Sequence, residues 1–512
     1  MDRTRTVYTI INIIFGFLNR ILNIVFPFLI RSVMIYTLGT EYLGLNTLFT
    51  SILQMLNLAE LGISSAIVYS MYKPIAENNT EEVCGLLRLY RKIYRIIGCV
   101  ILIIGMVIIP FLPKLIYGTY PEGINIVLLY LIYLINTVMS YFFFAYKTAI
   151  WNASQQISMI HNVNSFIIIL QSITQIIILK LFKNYVAFLS VMPVFTLLNN
   201  IIISIETKRK FPQYVCSGNV PKMMINSIKQ RVTGLFITKI CITTRNSLDS
   251  IFISAFLGLN MVAKYGNYYY IMGAIFSIMG IITTSMTSSI GNSLVKKSPE
   301  KNYLDMRKFT FAFAWITGFC TIALLCLYQS FIKVWLGKEM LFPYYMVVLF
   351  AIYFYSLCLG SIRSAYHDAA GLWWEARYRA IAETIVNVVL NFLLTKLIGI
   401  AGTILSTILS ILIVNYGYGT SIVFKYYFKT SSIKTYFLEQ FKYTIVTIVV
   451  AIITMILCGI FKSENLILDL MIKGIVCVCI PNILFYFVYR KNNFFIQIIS
   501  SIKSLLVKTQ DI

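Results

Sequence analysis

LPKLIYG, residues 112–118, recurs 219 residues later in the chain as FIKVWLG, residues 331–337. Other residue pairs keep a similar offset: at 219, Leu38 with Leu257, Gly39 with Gly258, Arg88 with Arg307 and Lys114 with Lys333; at 216, Lys180 with Lys396 and Asn199 with Asn415. A nearly constant offset across several segments is hard to obtain by chance, even in a biased composition. The chain therefore consists of two repeated halves.

The chain is far more apolar than a soluble protein. Hydrophobic residues make up 59% of its 512 residues and the mean hydropathy is +0.80, against an apolar share of about 45–50% in soluble domains. The apolar runs reach about 20 residues, enough for a helix to cross roughly 30 Å of hydrocarbon, and lack the alternation of an outer-membrane barrel. We predict an all-α polytopic membrane protein with about 14 transmembrane helices. The predicted spans lie near residues 10–35, 43–71, 95–117, 123–146, 157–179, 184–205, 232–257, 262–293, 309–336, 343–362, 380–395, 398–424, 443–461 and 466–489.

The repeat divides these spans into two six-helix lobes and two extra C-terminal helices. We place the N-terminal lobe at 1–205, a polar linker at 206–231, the C-terminal lobe at 232–428, and the two additional helices with a basic tail at 429–512. Each lobe holds an even number of spans, so the halves are expected to be parallel repeats about an axis along the membrane normal. The first span is expected to be retained, because it is longer than the apolar core of a removable signal.

The charges predict the orientation. Lys and Arg number 43 against 19 Asp and Glu, a formal net charge of +24. With alternating spans, one side collects about 30 of these cations, and the positive-inside rule makes that side cytoplasmic. We expect a multi-pass protein of the cell inner membrane with both termini in the cytoplasm, and we assign most of the charge to topology. No nucleic-acid-binding module accompanies it.

Several chemistries have no motif in this chain. The ten cysteines are scattered without the spacing of metal ligands and are interpreted as small core residues. His161 and His367 are the only histidines, too few and too far apart in sequence to indicate a metal site or a catalytic triad. A phosphate-binding G-x-x-x-x-G-K-[ST] loop is absent. We therefore predict neither an enzyme nor a bound cofactor, and we leave coupling to H+ or Na+ open.

Basic residues inside the first span are the main candidates for substrate binding. A charged side chain at the centre of a bilayer costs about 2.5–3.5 kcal/mol on insertion scales, so it usually faces water or a partner. At 100° per residue, Arg20, Asn23, Pro27 and Arg31 fall within about 80° of one another, on one stripe of the helix. Such a stripe suits an anionic cargo, because guanidinium groups bind phosphate through paired donors. The alternative for Arg31 is a side chain that extends to lipid phosphate.

The seventh span contains a second group of polar residues. Lys239 and Asn246 share a face, and Arg245 and Asp249 are one turn apart. One acid for two bases leaves a surplus positive charge, which again favours an anion. The alternative is a purely structural ion pair between Arg245 and Asp249.

Three acidic residues are candidates for ion pairing or for coupling to an ion. They are Glu60, Asp249 and Glu383. Glu60 lies at a depth similar to that of Arg20 in the neighbouring span, so we expect the two to be within reach of each other. A buried acid of this kind is also able to take up a proton during transport. Tyr265, Tyr268 and Tyr269 are interpreted either as a surface that stacks on sugar rings or as an interfacial aromatic belt.

The layout resembles the multidrug/oligosaccharidyl-lipid/polysaccharide exporter superfamily, and within it the polysaccharide-unit (Wzx-type, O-antigen or capsule) flippases. The segments that carry the resemblance are LGTEYLGLNTL (38–48), LAELGISSAI (58–67), FLGLNMVAKYGNYY (256–269), FIKVWLG (331–337) and AAGLWWEARYRAIAETIVNVVLN (369–391). The resemblance implies a two-lobed transporter with a central cavity that opens alternately to the two membrane faces, and we expect the protein to be a monomer. It implies export of a polyprenyl-pyrophosphate-linked oligosaccharide for lipopolysaccharide or other surface polysaccharides. Expected partners are this lipid-linked oligosaccharide, membrane lipids and other polysaccharide-assembly proteins.

Two other functions stay open. A cation-coupled multidrug exporter of the same superfamily would be expected to carry unpaired acids in its cavity, whereas this chain has Arg and Asn on its first helix. A polytopic polysaccharide polymerase or glycosyltransferase would need a large outer loop or a clustered acidic motif. The predicted outer connections, such as 118–122 and 337–343, are too short for a catalytic domain.

Overall fold

A computed structural model of the chain describes residues 3–57, 63–118, 120–121, 123–154, 156–221, 225, 241, 243–245, 247–429, 432–461 and 463–500. Within these ranges the regular structure is helical and contains no strand. The chain divides into two compact units, unit 1 (Met1–Ala263) and unit 2 (Lys264–Ile512). An all-α polytopic membrane protein is therefore confirmed.

The helices of unit 1 are α1 (Arg3–Thr37), α2 (Thr40–Leu56), α3 (Ile63–Ala76), α4 (Thr80–Ile108), α5 (Ile126–Phe142), α6 (Thr148–Ala153), α7 (Ser158–Phe182) and α8 (Tyr185–Lys210). Helix α9 (Leu259–Lys296) begins in unit 1 and continues into unit 2. Unit 2 also contains α10 (Pro299–Leu336), α11 (Tyr344–Cys358), α12 (Ser361–Ala369), α13 (Arg377–Ile398), α14 (Ile400–Phe428), α15 (Ile433–Ile460) and α16 (Leu466–Tyr489).

Eleven spans in the described part of the chain are long and apolar enough to cross a membrane. The bent pair formed by α5 and Ala145–Ala153 raises this number to twelve if it crosses as one span. The predicted span 43–71 runs through residues 58–62, and the predicted span 232–257 begins at residues that lie outside the described ranges. The other predicted spans overlap the observed helices, but some helices begin earlier: α4 begins at Thr80 rather than near 95, and α10 begins at Pro299 rather than near 309. The polar first turns of these helices lie outside the apolar runs.

Asparagine and serine side chains set where several helices begin. An N-cap oxygen accepts a backbone N–H that has no partner within the helix. Residues in this role are Asn79 of α4, Asn125 of α5, Asn184 of α8, Ser298 of α10, Ser432 of α15 and Asn465 of α16. Most of these capping residues directly follow a short polar connection. The local sequence therefore indicates where these helices begin.

The repeated glycines have a structural reason. Gly39 and Gly258 have φ angles of 104° and 86°, and the second pair, Gly118 and Gly337, has 81° and 86°. Residues with a side chain rarely adopt this region, whereas glycine enters it without a steric penalty. The sequence repeat at 219 therefore encodes the same positive-φ backbone conformation at equivalent places of the two halves.

The repeat at 216 marks a break within a helix pair in each unit. Phe144 separates α5 from the short helices that follow, and Gly360 separates α11 from α12. Both residues are left-handed, with φ 60° at Phe144 and φ 85° at Gly360. A cation follows three residues after each break, Lys147 in unit 1 and Arg363 in unit 2. Each half therefore has one cation, Lys147 or Arg363, at the equivalent position after its helix break.

Unit 1 is held together by close helix contacts. A Cβ atom added at Gly44 of α2 would lie 2.3 Å from the carbonyl oxygen of Leu259, so only glycine fits there. Small residues allow helix backbones to approach closely in membranes, where van der Waals packing drives association. Near this contact the Tyr133 hydroxyl donates to Asn46 Oδ1 at 2.7 Å, which links α5 to α2.

In unit 2 the two predicted extra helices pack on α10. The ring of Phe311 contacts Tyr443 of α15 and Tyr489 of α16. Arg307, the repeat equivalent of Arg88, forms an ion pair with Glu439 of α15. Helices α15 and α16 are therefore integral to this unit, because aromatic packing and a charge pair both hold them to it.

The interpretation of the α9 tyrosines as a cargo surface or an interfacial belt is wrong for two of the three. Tyr265 and Tyr268 are buried, with exposed fractions of 2% and 0%. Tyr268 stacks on Phe350, and its backbone carbonyl accepts a hydrogen bond from the Tyr328 hydroxyl at 2.9 Å. These side chains belong to the aromatic core of unit 2, where a sugar or a lipid does not reach them.

Candidate functional site

Helix α1 exposes two different faces. Leu18, Val25 and Leu29 are exposed and lie about 140–180° around the helix from Arg20. Arg20 and Asn23 are also exposed, although they belong to the polar stripe on the opposite side. A lipid environment explains the apolar face but not the polar one, because charged side chains avoid hydrocarbon. The polar face therefore requires water or a polar ligand.

Hydrogen bonds hold the polar stripe of α1 in place. Asn23 Nδ2 donates to Asn19 Oδ1 at 3.1 Å, and Asn19 Nδ2 donates to Ser165 Oγ of α7 at 3.0 Å. Further along the stripe, Pro27 and Arg31 are half-buried, and Arg31 lies within electrostatic range of Tyr133. The stripe on α1 is thus exposed at Arg20 and Asn23 and half-buried at Pro27 and Arg31.

The polar residues predicted in the seventh span are only partly described. Arg245 and Asp249 are buried in unit 1, with exposed fractions of 7% and 1%. This burial favours the structural ion pair over direct contact with cargo, because a buried charge needs a partner. Lys239, Asn246 and Glu60 lie outside the described residues. The predicted proximity of Glu60 to Arg20 therefore stays a prediction.

Unit 2 contains a buried arginine network that the sequence predicted only at Glu383. Arg363 and Arg379 have exposed fractions of 1% and 6%, and Glu383 has 4%. The Glu383 carboxylate lies 3.9 Å from Arg379 and accepts a hydrogen bond from Asn415 Nδ2 at 2.9 Å. Asn415 Oδ1 in turn accepts from Arg363 Nη2 at 3.0 Å. Two guanidinium groups thus converge on one carboxylate and one amide.

Irregular helix geometry presents Asn415 to this network. Residues Ile411–Tyr418 within α14 form a π-helix, a form that is rare and often occurs at functional sites. Gly419 follows, and a Cβ atom there would lie 2.4 Å from Arg363 Nη1, so the guanidinium occupies the space of a missing side chain. The sequence showed Asn415 as a repeat position, but its contact with Arg363 required the fold.

Three cysteines also come together only in the structure. The sulfur atoms of Cys326, Cys458 and Cys477 lie within 4.8 Å of one another, contributed by α10, α15 and α16. Three sulfur atoms at this spacing are able to hold a soft metal ion as thiolates. The scattered cysteine spacing in the sequence had no sign of this cluster, because the three residues come from distant segments.

Comparison with solved structures identifies the fold. The lipid II flippase MurJ, in an inward closed conformation, is 15% identical and covers 95% of this chain and 99% of its own, with a TM-score of 0.63. An inward-facing multidrug resistance MATE transporter of the MOP superfamily is 14% identical, covers 79% of this chain and 95% of its own, and has a TM-score of 0.62. A MOP superfamily transporter from Pyrococcus furiosus, described as having a binding pocket of reverse polarity, is 13% identical and covers 81% of this chain and 96% of its own, with a TM-score of 0.57.

No protein family profile matches the chain, and no curated protein matches it significantly. At 13–15% identity the solved structures establish a shared fold, that of MOP superfamily transporters. The fold that the sequence resemblance implied is thus the fold of the structure.

Proposed function

We propose that this chain is a flippase that moves polyprenyl-pyrophosphate-linked oligosaccharide across the inner membrane by alternating access. The observation that carries the proposal is the polar face of α1, where Arg20 and Asn23 are exposed opposite an apolar face. A diphosphate headgroup needs fixed positive charges to replace the water that it loses. Arg20 and Asn23 supply a cation and an amide on a face that lipid does not explain.

The fold comparison supports a flippase over a multidrug exporter. The similarity to a lipid II flippase extends over 95% of this chain, whereas the similarity to the MATE transporter covers 79%. The longer match fits the layout with two additional helices, α15 and α16. The basic character of α1 also fits an anionic cargo better than a cationic drug.

We assign the remaining predicted residues to supporting roles in this mechanism. Arg31, Lys239 and Asn246 extend the contact with the anionic headgroup. Arg245 and Asp249 form a structural ion pair, and Glu60 and Glu383 pair with basic groups or couple transport to an ion. Both termini and the linker lie on the cytoplasmic side, because most Lys and Arg then face the cytosol. Partners are the lipid-linked oligosaccharide and other polysaccharide-assembly proteins.

The test is complementation of surface-polysaccharide export in a flippase-null host. Arg20→Glu is expected to abolish export, because it places a negative charge against the headgroup. Arg20→Lys should keep part of the activity, since the charge survives while the bidentate geometry is lost. Lys301→Glu, which reverses an exposed cation at the start of α10, serves as the matched control and should export normally.

Membrane levels of every variant are measured by immunoblot, so that loss of export is separated from loss of protein. Full export by Arg20→Glu at normal levels would rule out the basic cavity. Resistance of the host to cationic drugs, gained without any export of polysaccharide, would instead support the multidrug exporter.

A further inference from the structure

We propose that unit 1 contains a binding pocket for a phosphate-bearing ligand at the break between α5 and α6. The pocket has a volume of about 530 Å³ and is formed by α4, the residues around the break, the end of α8 and the first residues after α8. Three cations line it, Arg91, Lys147 and Lys208, and no acidic residue is among its lining residues. The argument uses unit 1 alone and does not depend on the identity of the transported cargo.

The break itself brings Lys147 into the pocket. Phe144 adopts a left-handed conformation at φ 60° and ψ −3°, which costs energy for a residue with a bulky side chain. The backbone bends by 45° between Ile126–Phe142 and Ala145–Ala153. Lys147 Nζ then donates to Ser204 Oγ of α8 at 2.6 Å, which holds the ammonium group at the pocket wall. The left-handed conformation of Phe144 costs free energy and positions the Lys147 ammonium group. Backbone strain of this kind is typical of binding sites.

The equivalent cation in unit 2 reaches an anion, whereas no acidic side chain in the described part of unit 1 pairs with Lys147. At the offset of 216, Lys147 corresponds to Arg363, which reaches the Glu383 carboxylate through Asn415. The position of Glu383 corresponds to Ile167 in unit 1, which carries no charge. No described acidic side chain forms an ion pair with Lys147 or with the neighbouring Arg91 and Lys208. Among the described residues, the repeat thus places a carboxylate near the cation of unit 2 and an apolar side chain at the equivalent position of unit 1.

The outer wall of the pocket is fixed by contacts to α4. Val215 N–H donates to Cys84 Sγ at 3.2 Å, and Arg88 Nη1 donates to the Gly218 carbonyl at 3.0 Å. A Cβ atom at Gly85 would lie 3.1 Å from the Asn219 carbonyl, so the segment after α8 lies directly against this helix. The segment after α8 is therefore packed against α4 where the two line the pocket.

The lining chemistry selects a phosphate group. Lys147 and Lys208 supply compact charges, and the Arg91 guanidinium supplies paired donors that match phosphate oxygens. Phe144, Tyr146, Phe211 and Tyr214 add aromatic walls that accommodate the less polar part of a larger ligand. A lipid headgroup and a soluble phosphate compound share this chemistry, so the experiment has one arm for each source.

The experiment uses the full chain in phosphatidylcholine nanodiscs. In the soluble arm, inorganic pyrophosphate is titrated by calorimetry. In the lipid arm, native mass spectrometry counts the phosphatidylglycerol molecules retained after extraction from mixed phosphatidylcholine–phosphatidylglycerol bilayers. Binding in either arm supports the pocket and identifies the source of the phosphate group. Lys147→Met and Arg91→Gln must each lower this binding at least tenfold, because a loss of that size is typical of one charge-assisted hydrogen bond.

Two further variants keep the result interpretable. Lys147→Arg keeps the charge and should bind within about threefold of the unaltered protein, which shows that the site tolerates substitution. Lys92→Gln removes an exposed cation next to Arg91 that does not line the pocket, and it should bind normally. Absence of binding in both arms, or equal losses in Lys92→Gln and Lys147→Met, would overturn the proposal.

Discussion

Glu383→Gln is expected to destabilise unit 2 strongly. The carboxylate is 4% exposed, lies 3.9 Å from Arg379, and connects through Asn415 to Arg363, which is 1% exposed. The amide keeps the size and one acceptor oxygen of the side chain but removes its charge. Two buried guanidinium groups would then share the network without its anion.

The magnitude follows from the burial of the whole network. Removing one partner of a buried ion pair costs about 3–5 kcal/mol, because the remaining charge has already lost its water. A domain of about 250 residues loses roughly 2–4 °C in Tm for each kcal/mol. We therefore expect the detergent-solubilised variant to unfold at least about 6 °C lower, measured by the change in intrinsic tryptophan fluorescence on heating.

A more exposed ion pair on the same unit provides the control. Lys297 and Asp305 lie 2.6 Å apart with side chains 47% and 33% exposed, so Asp305→Asn should cost only about 0.2–1 kcal/mol. The double variant Arg363→Met with Glu383→Gln should recover part of the loss, because it removes one of the two stranded charges. Equal Tm values for Glu383→Gln and Asp305→Asn would refute the reasoning.

Three further predictions test the packing, the polar face and the orientation. Gly44→Ala should sharply reduce the yield of folded protein in size-exclusion chromatography, because the added Cβ would meet the Leu259 carbonyl at 2.3 Å; Gly273→Ala, where no atom lies within 4 Å, should not. With the exposed native cysteines replaced by serine, Asn23→Cys should react with a water-soluble maleimide and Val25→Cys should not, and equal reactivity would contradict a hydrated face of α1. Ser217→Cys should be labelled only after the cell membrane is made permeable, and labelling of intact cells would reverse the predicted topology.

The repeat and the helix ends at its glycines were readable from the sequence because they depend on local chemistry. Glycine at positions 39 and 258 terminates helices by positive φ, and asparagine at 79 and 184 caps them, so short segments carry this information alone. Long apolar runs specify spans for the same reason, since burial in lipid acts on each run separately.

The polar face of α1 was only half predictable. Helical geometry puts Arg20 and Asn23 on one stripe, and the sequence shows this directly. Their exposure, and the position of Leu18 and Val25 on an opposite exposed face, depend on which side of α1 the neighbouring helix α7 covers. The hydrophobic periodicity of α1 cannot reveal which side α7 covers, because it describes the faces of one helix and not its contacts with another.

The tertiary structure alone decided which distant residues meet. Arg363 and Asn415 are 52 residues apart in the sequence and are linked by a hydrogen bond. Arg363 follows the helix break at Gly360, and Asn415 lies in a π-helical segment. Lys147 likewise shares its pocket with residues of α4 and α8, which lie far from it along the sequence. The sequence by itself determined the membrane class, the two halves and their helix ends through local conformational preference and hydrophobicity. The charged clusters were decided by the fold, because an electrostatic contact depends on distance in space and leaves no periodic trace along the chain.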